Sequence, residues 1–179
     1  GKTELCKCIA EYLYGDERRL LRFDMGEYAT ADAAARLCGD RFAPRGLLTE
    51  QVRQQPFCVV LLDEIEKAHP TVLNLLLQLF DEGRLTDAAG NSADFTHAVV
   101  IMTSNLGARD RAPAGFAEAD SAKSILAEVN HAVRSFFPPE LFNRIDRVIP
   151  FAPLDRQAAQ RIAEKELRQL LARRGLVER

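Results

Sequence analysis

The sequence predicts an α/β fold: a parallel sheet covered on both faces by helices, in three αβα layers. Three observations carry the prediction. Two aliphatic runs, FCVVLLDE (57–64) and AVVIMTSN (98–105), have the composition of strands buried on both faces, not the alternation of a half-exposed strand. Around these runs lie stretches with helical spacing and helix punctuation, so strands and helices alternate along the chain. Both runs also end in polar side chains, and ligands of such sheets bind beyond the carboxyl ends of the strands.

The elements follow in order. After Gly1-Lys2-Thr3, the side chains of Leu5, Ile9, Tyr12 and Leu13 fall at helical spacing, and Gly15 supplies a stop. LLRFDM (20–25) reads as a short strand. ADAAARLCG (31–39) reads as a small-residue helix ended by Gly39, and GLLTEQVRQQ (46–55) as another after the loop DRFAPR, expected to be exposed. Behind the 57–64 strand, HPTVLNLLLQLFDEG predicts a helix with Pro70 in its first turn and Gly83 just past its end. Turn residues crowd GRLTDAAGNSADF (83–95), which predicts a hairpin or projecting loop. The 98–105 strand and a polar Gly/Pro/Ala segment precede an amphipathic helix near 121–136, with Ile125, Leu126, Val129, Val133 and Phe136 on one side. RVIPF (147–151) reads as a last short strand. PLDRQAAQRIAEKELRQLLARRG reads as a helix with Asp155 at its start and Gly175 at its end.

Composition narrows the function classes. With 179 residues, 47% of them hydrophobic, the chain can bury a core, and one main domain with a short appendage is expected. The 24 basic and 26 acidic residues leave a net charge of -2, which gives no general attraction for nucleic acid or an anionic membrane. No apolar run approaches the ~20 residues of a membrane span, and the first residues do not read as a signal peptide. A cytoplasmic protein with neither nucleic acid nor membrane as partner is the expectation. Cys6, Cys8, Cys38 and Cys58 form no C-x-x-C pair, so ordinary thiols are favoured over a metal centre. His69, His97 and His131 lack metal-ligand spacing and read as caps or surface residues.

The chemistry concentrates at three places. Gly1-Lys2-Thr3 matches the end of a phosphate-binding loop, G-x-x-x-x-G-K-[ST], at a helix start. Asp63 and Glu64 end a buried strand, where adjacent carboxylates are costly without a cation or a task. An aspartate there can hold Mg²⁺ through its water shell, and a neighbouring glutamate can polarise a water for attack on a γ-phosphate. The two signals constrain each other: Lys2 would neutralise β- and γ-phosphates, while the Thr3 hydroxyl and Asp63 would share the metal. Asn105, at the end of the next strand, offers an amide that can reach both the γ-phosphate and the attacking water.

LLDEIEKAHP, LLLQLFDEGRLTDAAGNSADF, VVIMTSNLG and PELFNRID make the chain resemble a known family. They look like the second nucleotide-binding domain of Clp and ClpB-type AAA+ unfoldases and disaggregases, and the similarity covers almost all of residues 1–155. The resemblance implies a P-loop NTPase large subdomain over 1–151 and the first helix of a small helical lid subdomain over 152–179. It places Gly1, Lys2 and Thr3 at the end of Walker A, Asp63 and Glu64 at the end of Walker B, and Asn105 at sensor 1. Arg144 of NRID matches the arginine finger, which in this family reaches the nucleotide of a neighbouring subunit. The implied cofactors are ATP and Mg²⁺. The implied partners are ATP and ADP, subunits of the same kind in a ring, a homohexamer in the full protein, and unfolded or aggregated polypeptide.

Three departures from the family stand out. DRFAPR (40–45) is shorter than the usual pore loop and offers Phe42 where a tyrosine is usual. Pro138 stands where an arginine is common. The first half of the phosphate loop and the sensor 2 arginine are not in the sequence, so the chain is expected to be a fragment that binds ATP poorly in isolation. An ATP-driven protein-remodelling motor is the leading reading. A degenerate nucleotide-binding or oligomerisation module without threading is the alternative, and a DNA helicase or clamp loader is disfavoured by the near-neutral charge.

Overall fold

The computed structural model describes residues 1–107, 122–151 and 156–172. In chain order, helix α1 spans Lys2–Tyr14, strand β1 Leu20–Asp24, helix α2 Ala33–Cys38, helix α3 Leu47–Gln54, strand β2 Val59–Asp63 and helix α4 Pro70–Glu82. Strands β3 (Arg84–Thr86), β4 (Ser92–Asp94) and β5 (Val99–Met102) follow, then helices α5 (Ala122–Phe136), α6 (Pro139–Phe142) and α7 (Arg156–Ala172). Two compact units divide the chain, Gly1–Val148 and Ile149–Arg179.

The first unit is organised by a parallel sheet in the order β1-β2-β5. Its register sets Leu20 beside Val59 and runs to Asp24 beside Asp63, while Leu62 faces Met102 across the other ladder. The middle strand is the apolar one: Val59, Val60, Leu61 and Leu62 are each at most 1% exposed. Burying four such side chains is worth ~1.5–3 kcal/mol apiece before the entropy cost. Burial stops at Asp63, so the carboxyl end of the sheet is where polar groups first emerge.

Helix α4 shows how local signals place an element. His69 caps it, with Nδ1 accepting the Thr71 N–H at 3.3 Å, Pro70 sits at the first position, and Gly83 ends it at φ 66. Val72, Leu75, Leu76 and Leu79 repeat at helical spacing and are all buried. The hairpin β3–β4 projects beyond its end. Its turn is closed by the Asp87 carboxylate, which accepts the N–H groups of Ala89 at 3.0 Å and Asn91 at 2.8 Å. Between α2 and α3 the loop 40–45 has a pinched neck. A Cβ on Gly39, at φ 91, would lie 2.3 Å from the Pro44 carbonyl oxygen, and one on Gly46 would lie 2.2 Å from the Cys38 carbonyl carbon.

Several sequence expectations need correction. Residues 147–151 are not a strand; their exposure alternates as a strand's would, but among the described residues β1 and β5 are the edges of the sheet and no ladder reaches this segment. Pro150 also lacks the N–H a ladder needs. The 98–105 strand is shorter, Val99–Met102, and only partly buried, because one of its edges carries no neighbour among the described residues. Helix α1 turns Cys6 and Ala10 inward and leaves Leu5, Leu13 and the 89%-exposed Tyr12 outside. Small residues let that helix approach β1 and β2 closely. In α5, Val133 is buried and Val129 and Phe136 pack on the core, whereas Leu126 is exposed; the Ile125 side chain lies outside the described set. Asp155 and Gly175 lie outside the described residues.

Candidate functional site

Three chain segments converge at the carboxyl end of the sheet. Parallel register brings the ends of β1 and β2 side by side, the segment after β5 runs past them, and the first turn of α1 closes the group. Lys2, Thr3, Asp63, Glu64 and Asn105 line one cleft of about 300 Å³. Arg22, Asp24 and Thr103 complete its walls.

Asp63 is held on both oxygens. Thr103 donates its hydroxyl to Oδ1, and Arg22 donates to Oδ2 from Nη2 at 2.6 Å and Nε at 3.1 Å. Burial by itself would raise the Asp63 pKa. The Thr103 hydroxyl, the Arg22 guanidinium and the Lys2 charge outweigh it and hold the carboxyl below its ordinary value. The group is therefore a carboxylate ready to face a cation.

Glu64 has φ 57 and ψ 52, the left-handed region, and is the one non-glycine residue with positive φ among the described residues. Such a conformation costs about 1–2 kcal/mol and persists only where neighbours enforce it. The enforcing contacts come from the adjacent strand end: Glu64 N–H donates to Thr103 Oγ1 at 3.2 Å, and Ile65 N–H to the Thr103 carbonyl at 2.9 Å. The strained turn aims the Glu64 carboxylate into the cleft, with Lys67 on Oε2 and the Asn105 amide on Oε1 at 3.4 Å.

Asn105 is the hub. Its Oδ1 accepts from Lys2 Nζ at 2.6 Å, its Nδ2 reaches Glu64, and its backbone N–H donates to Glu66 Oε1 at 3.0 Å. Lys2 Nζ also donates to the Ser104 carbonyl at 2.5 Å. An ammonium has three donors, so these two contacts leave one for a ligand. Two cationic side chains, an ionised aspartate, two further carboxylates and two hydroxyls in one cleft suit a polyphosphate with a hydrated divalent cation.

Two of the residues singled out in the sequence lie apart. Gly1 caps α1 without lining the cleft. Arg144, just past α6, is absent from the cleft walls and pairs with Asp81 near the end of α4 at 2.5 Å. Phe42 stands on the pinched 40–45 loop, 80% exposed, with the Arg41 guanidinium 4.5 Å from its ring centre. Sequence reasoning missed Arg22, Thr103 and Glu66. Arg22 breaks an apolar strand run with a charge, and Thr103 lies two residues before Asn105, so both had a weak signal; Glu66 had none beyond its place after Asp63-Glu64.

Comparison with known proteins places this geometry in context. A family profile described as AAA domain (Cdc48 subfamily) matches residues 1–148. The Chaperone protein ClpB of Pseudomonas putida is 46% identical over 185 aligned residues, covering 100% of this chain and 21% of that protein. The ClpB of Vibrio cholerae is 45% identical, again over 100% of this chain and 21% of the relative. Among solved structures, a closed-state cryoEM reconstruction of Hsp104 with ATPyS and FITC casein superposes with a TM-score of 0.82 at 38% identity, over 98% of this chain and 31% of that one. The S. cerevisiae Hsp104–casein complex in its extended conformation gives 0.82 at 37% identity, over 98% and 31%. The chain thus spans about a fifth of the length of these ClpB relatives.

Proposed function

The chain belongs to the AAA domain family (Cdc48 subfamily), and from that premise we propose that it is an AAA+ ATPase domain of the ClpB type. The cleft at the ends of β2 and β5 binds ATP and hydrolyses it to ADP and phosphate, driving a ring that remodels unfolded or aggregated polypeptide. The observation that carries this reading is the convergence of Lys2, Thr3, Asp63, Glu64 and Asn105 on one cleft from segments scattered over the chain.

Each side chain has a task. Lys2 neutralises β- and γ-phosphate oxygens, and the start of α1, from Gly1 onward, adds its N-terminal dipole. The residues present fit Mg²⁺, because Asp63 is held as a carboxylate and Thr3 lines the same cleft. Mg²⁺, when bound there by the Thr3 hydroxyl and, through water, by Asp63, would neutralise charge on the transferred phosphoryl group. Glu64 orients and polarises the water whose oxygen forms the new bond to the γ-phosphorus as the bond to the bridging oxygen breaks. The Asn105 amide lies within reach of Glu64 and stabilises both that water and the γ-phosphate.

Arg144 belongs to a neighbour's reaction. Its position outside the cleft, on a half-exposed surface, suits a finger that reaches the nucleotide of the next subunit in a homohexameric ring. Exposed Phe42 on its pinched loop suits a gripping contact with polypeptide. Residues 152–179 are read as the first helix of the small helical subdomain. The Hsp104 structures with ATPyS and casein support nucleotide and polypeptide as ligands.

Glu64→Gln tests the reading. In the intact, assembled protein it is expected to keep nucleotide affinity while kcat falls ~10²–10⁴-fold. Undiminished turnover would sink the assignment.

A further inference from the structure

The turn that follows Glu64 puts three consecutive side chains to different uses. Ile65 is buried at 1% exposure, and Lys67 pairs with Glu64. Glu66, between them, reaches across to the segment after β5 and accepts the Asn105 backbone N–H on Oε1 at 3.0 Å. Its other oxygen, Oε2, is the one buried side-chain polar atom without a hydrogen-bond partner among the described residues. A carboxylate normally keeps both oxygens solvated or paired, so a half-satisfied one asks what its single bond accomplishes.

The backbone around Asn105 gives the answer. Strand β5 ends at Met102, and the backbone bonds that tie the next residue to the neighbouring segment are Thr103 N–H to the Leu62 carbonyl at 3.0 Å and Ile65 N–H to the Thr103 carbonyl at 2.9 Å. Ser104 and Asn105 lie beyond the ladder, yet the Asn105 side chain must stand between Lys2 and Glu64. We propose that Glu66 is a positioning residue: its bond to the Asn105 backbone sets where the Asn105 amide stands in the cleft. The kinetic consequence rests on the reading of that cleft as the ATP-hydrolysing site; the anchoring itself does not.

The test uses the intact, assembled protein with ATP. Glu66→Ala is expected to lower kcat ~10- to 100-fold, as small misplacements of a reacting constellation do. Its nucleotide Kd should stay within about threefold, because Lys2, Thr3 and the start of α1 still hold the phosphates. Glu66→Gln keeps a carbonyl acceptor and is expected to restore kcat to within about threefold of the parent. Amide hydrogen exchange gives a readout independent of turnover: the Asn105 N–H should be protected in the parent and in Glu66→Gln, and fast in Glu66→Ala. If Glu66→Ala does not assemble, Glu66→Asp, one methylene too short, replaces it with the same expected direction. Unchanged kcat and protection in the truncated variant, or Glu66→Gln failing as badly as Glu66→Ala, would overturn the proposal. Asn105→Ala separates the two readings. If it turns over normally the role of Asn105 in hydrolysis fails, while the exchange pattern still decides whether Glu66 anchors it.

Discussion

The cleft and the surface around Arg144 treat charge in opposite ways. In the cleft, Asp63 is held by Thr103 and Arg22, and Asn105 by Lys2, Glu64 and Glu66, so each group is fixed from at least two other places in the chain. Among the described residues Arg144 touches one carboxylate, Asp81, and both side chains are about half exposed. Ion pairs of that kind contribute ~0–1 kcal/mol. The cleft is therefore organised in advance within one chain, whereas Arg144 can exchange its partner for a stronger anion at little cost. That difference is what a site shared between subunits requires: a rigid receiving half and a lightly tethered donated half.

The largest effect should come from the lightly tethered side. Arg144→Ala is expected to lower ATP turnover of the assembled protein ~10³-fold or more, the scale of arginine fingers, with the thermal midpoint unchanged. A loss of only a few-fold in steady-state assays would break the contrast.

On the rigid side, stability should respond. Thr103→Val removes the hydroxyl that donates to Asp63 and accepts from Glu64 N–H, leaving a partly buried N–H unpaired. The expected cost is ~1–3 kcal/mol in denaturant unfolding, because a buried group left without its partner loses its full desolvation penalty. A cost near zero would mean that the Glu64 turn does not depend on β5.

Acid should loosen the same half. The Asp63 carboxyl is pushed up by burial but held below its ordinary value by Thr103, Arg22 and Lys2. A lowered folded-state pKa means that its contribution is complete above the unfolded value, about 4, and disappears as pH falls through the folded one. Asp63→Asn should thus be less stable than the parent at neutral pH and show a shallower loss of stability below about pH 4. Parallel curves from pH 6 to pH 3, measured by chemical denaturation, would contradict it. The smallest effect belongs to Asp81→Ala, which removes the tether of Arg144: a change of at most ~1 kcal/mol in stability and near-normal turnover.

Much of the receiving half was legible in the sequence, and the reasons are local. Val59–Leu62 announce a doubly covered strand, Pro70 and Gly83 bracket α4, and polar residues at strand ends mark the cleft. Lys2, Thr3, Asp63, Glu64 and Asn105 stand out as candidates by residue type and order, and the structure brings them to one cleft. What escaped depends on contacts between distant segments. The Thr103–Asp63 and Arg22–Asp63 bonds exist only in one strand register, and the Glu66–Asn105 bond only once that register is set. Residues 147–151 have a strand's alternation, but a strand also needs a neighbour, which its own sequence does not reveal. In α1 the spacing of Leu5, Ile9, Tyr12 and Leu13 is enough to predict a helix, but the residues it buries are Cys6 and Ala10.

The central claim, a site completed by another copy's Arg144, is tested most directly by mixing two inactive variants. Glu64→Gln subunits keep the proposed finger but lose the carboxylate proposed to polarise water, and Arg144→Ala subunits keep the cleft but lose the proposed finger. Rings assembled from both should recover ATP turnover, because some Arg144→Ala clefts then face an intact finger. Mixed rings, verified by differential labelling, that hydrolyse no faster than either variant alone would contradict the account.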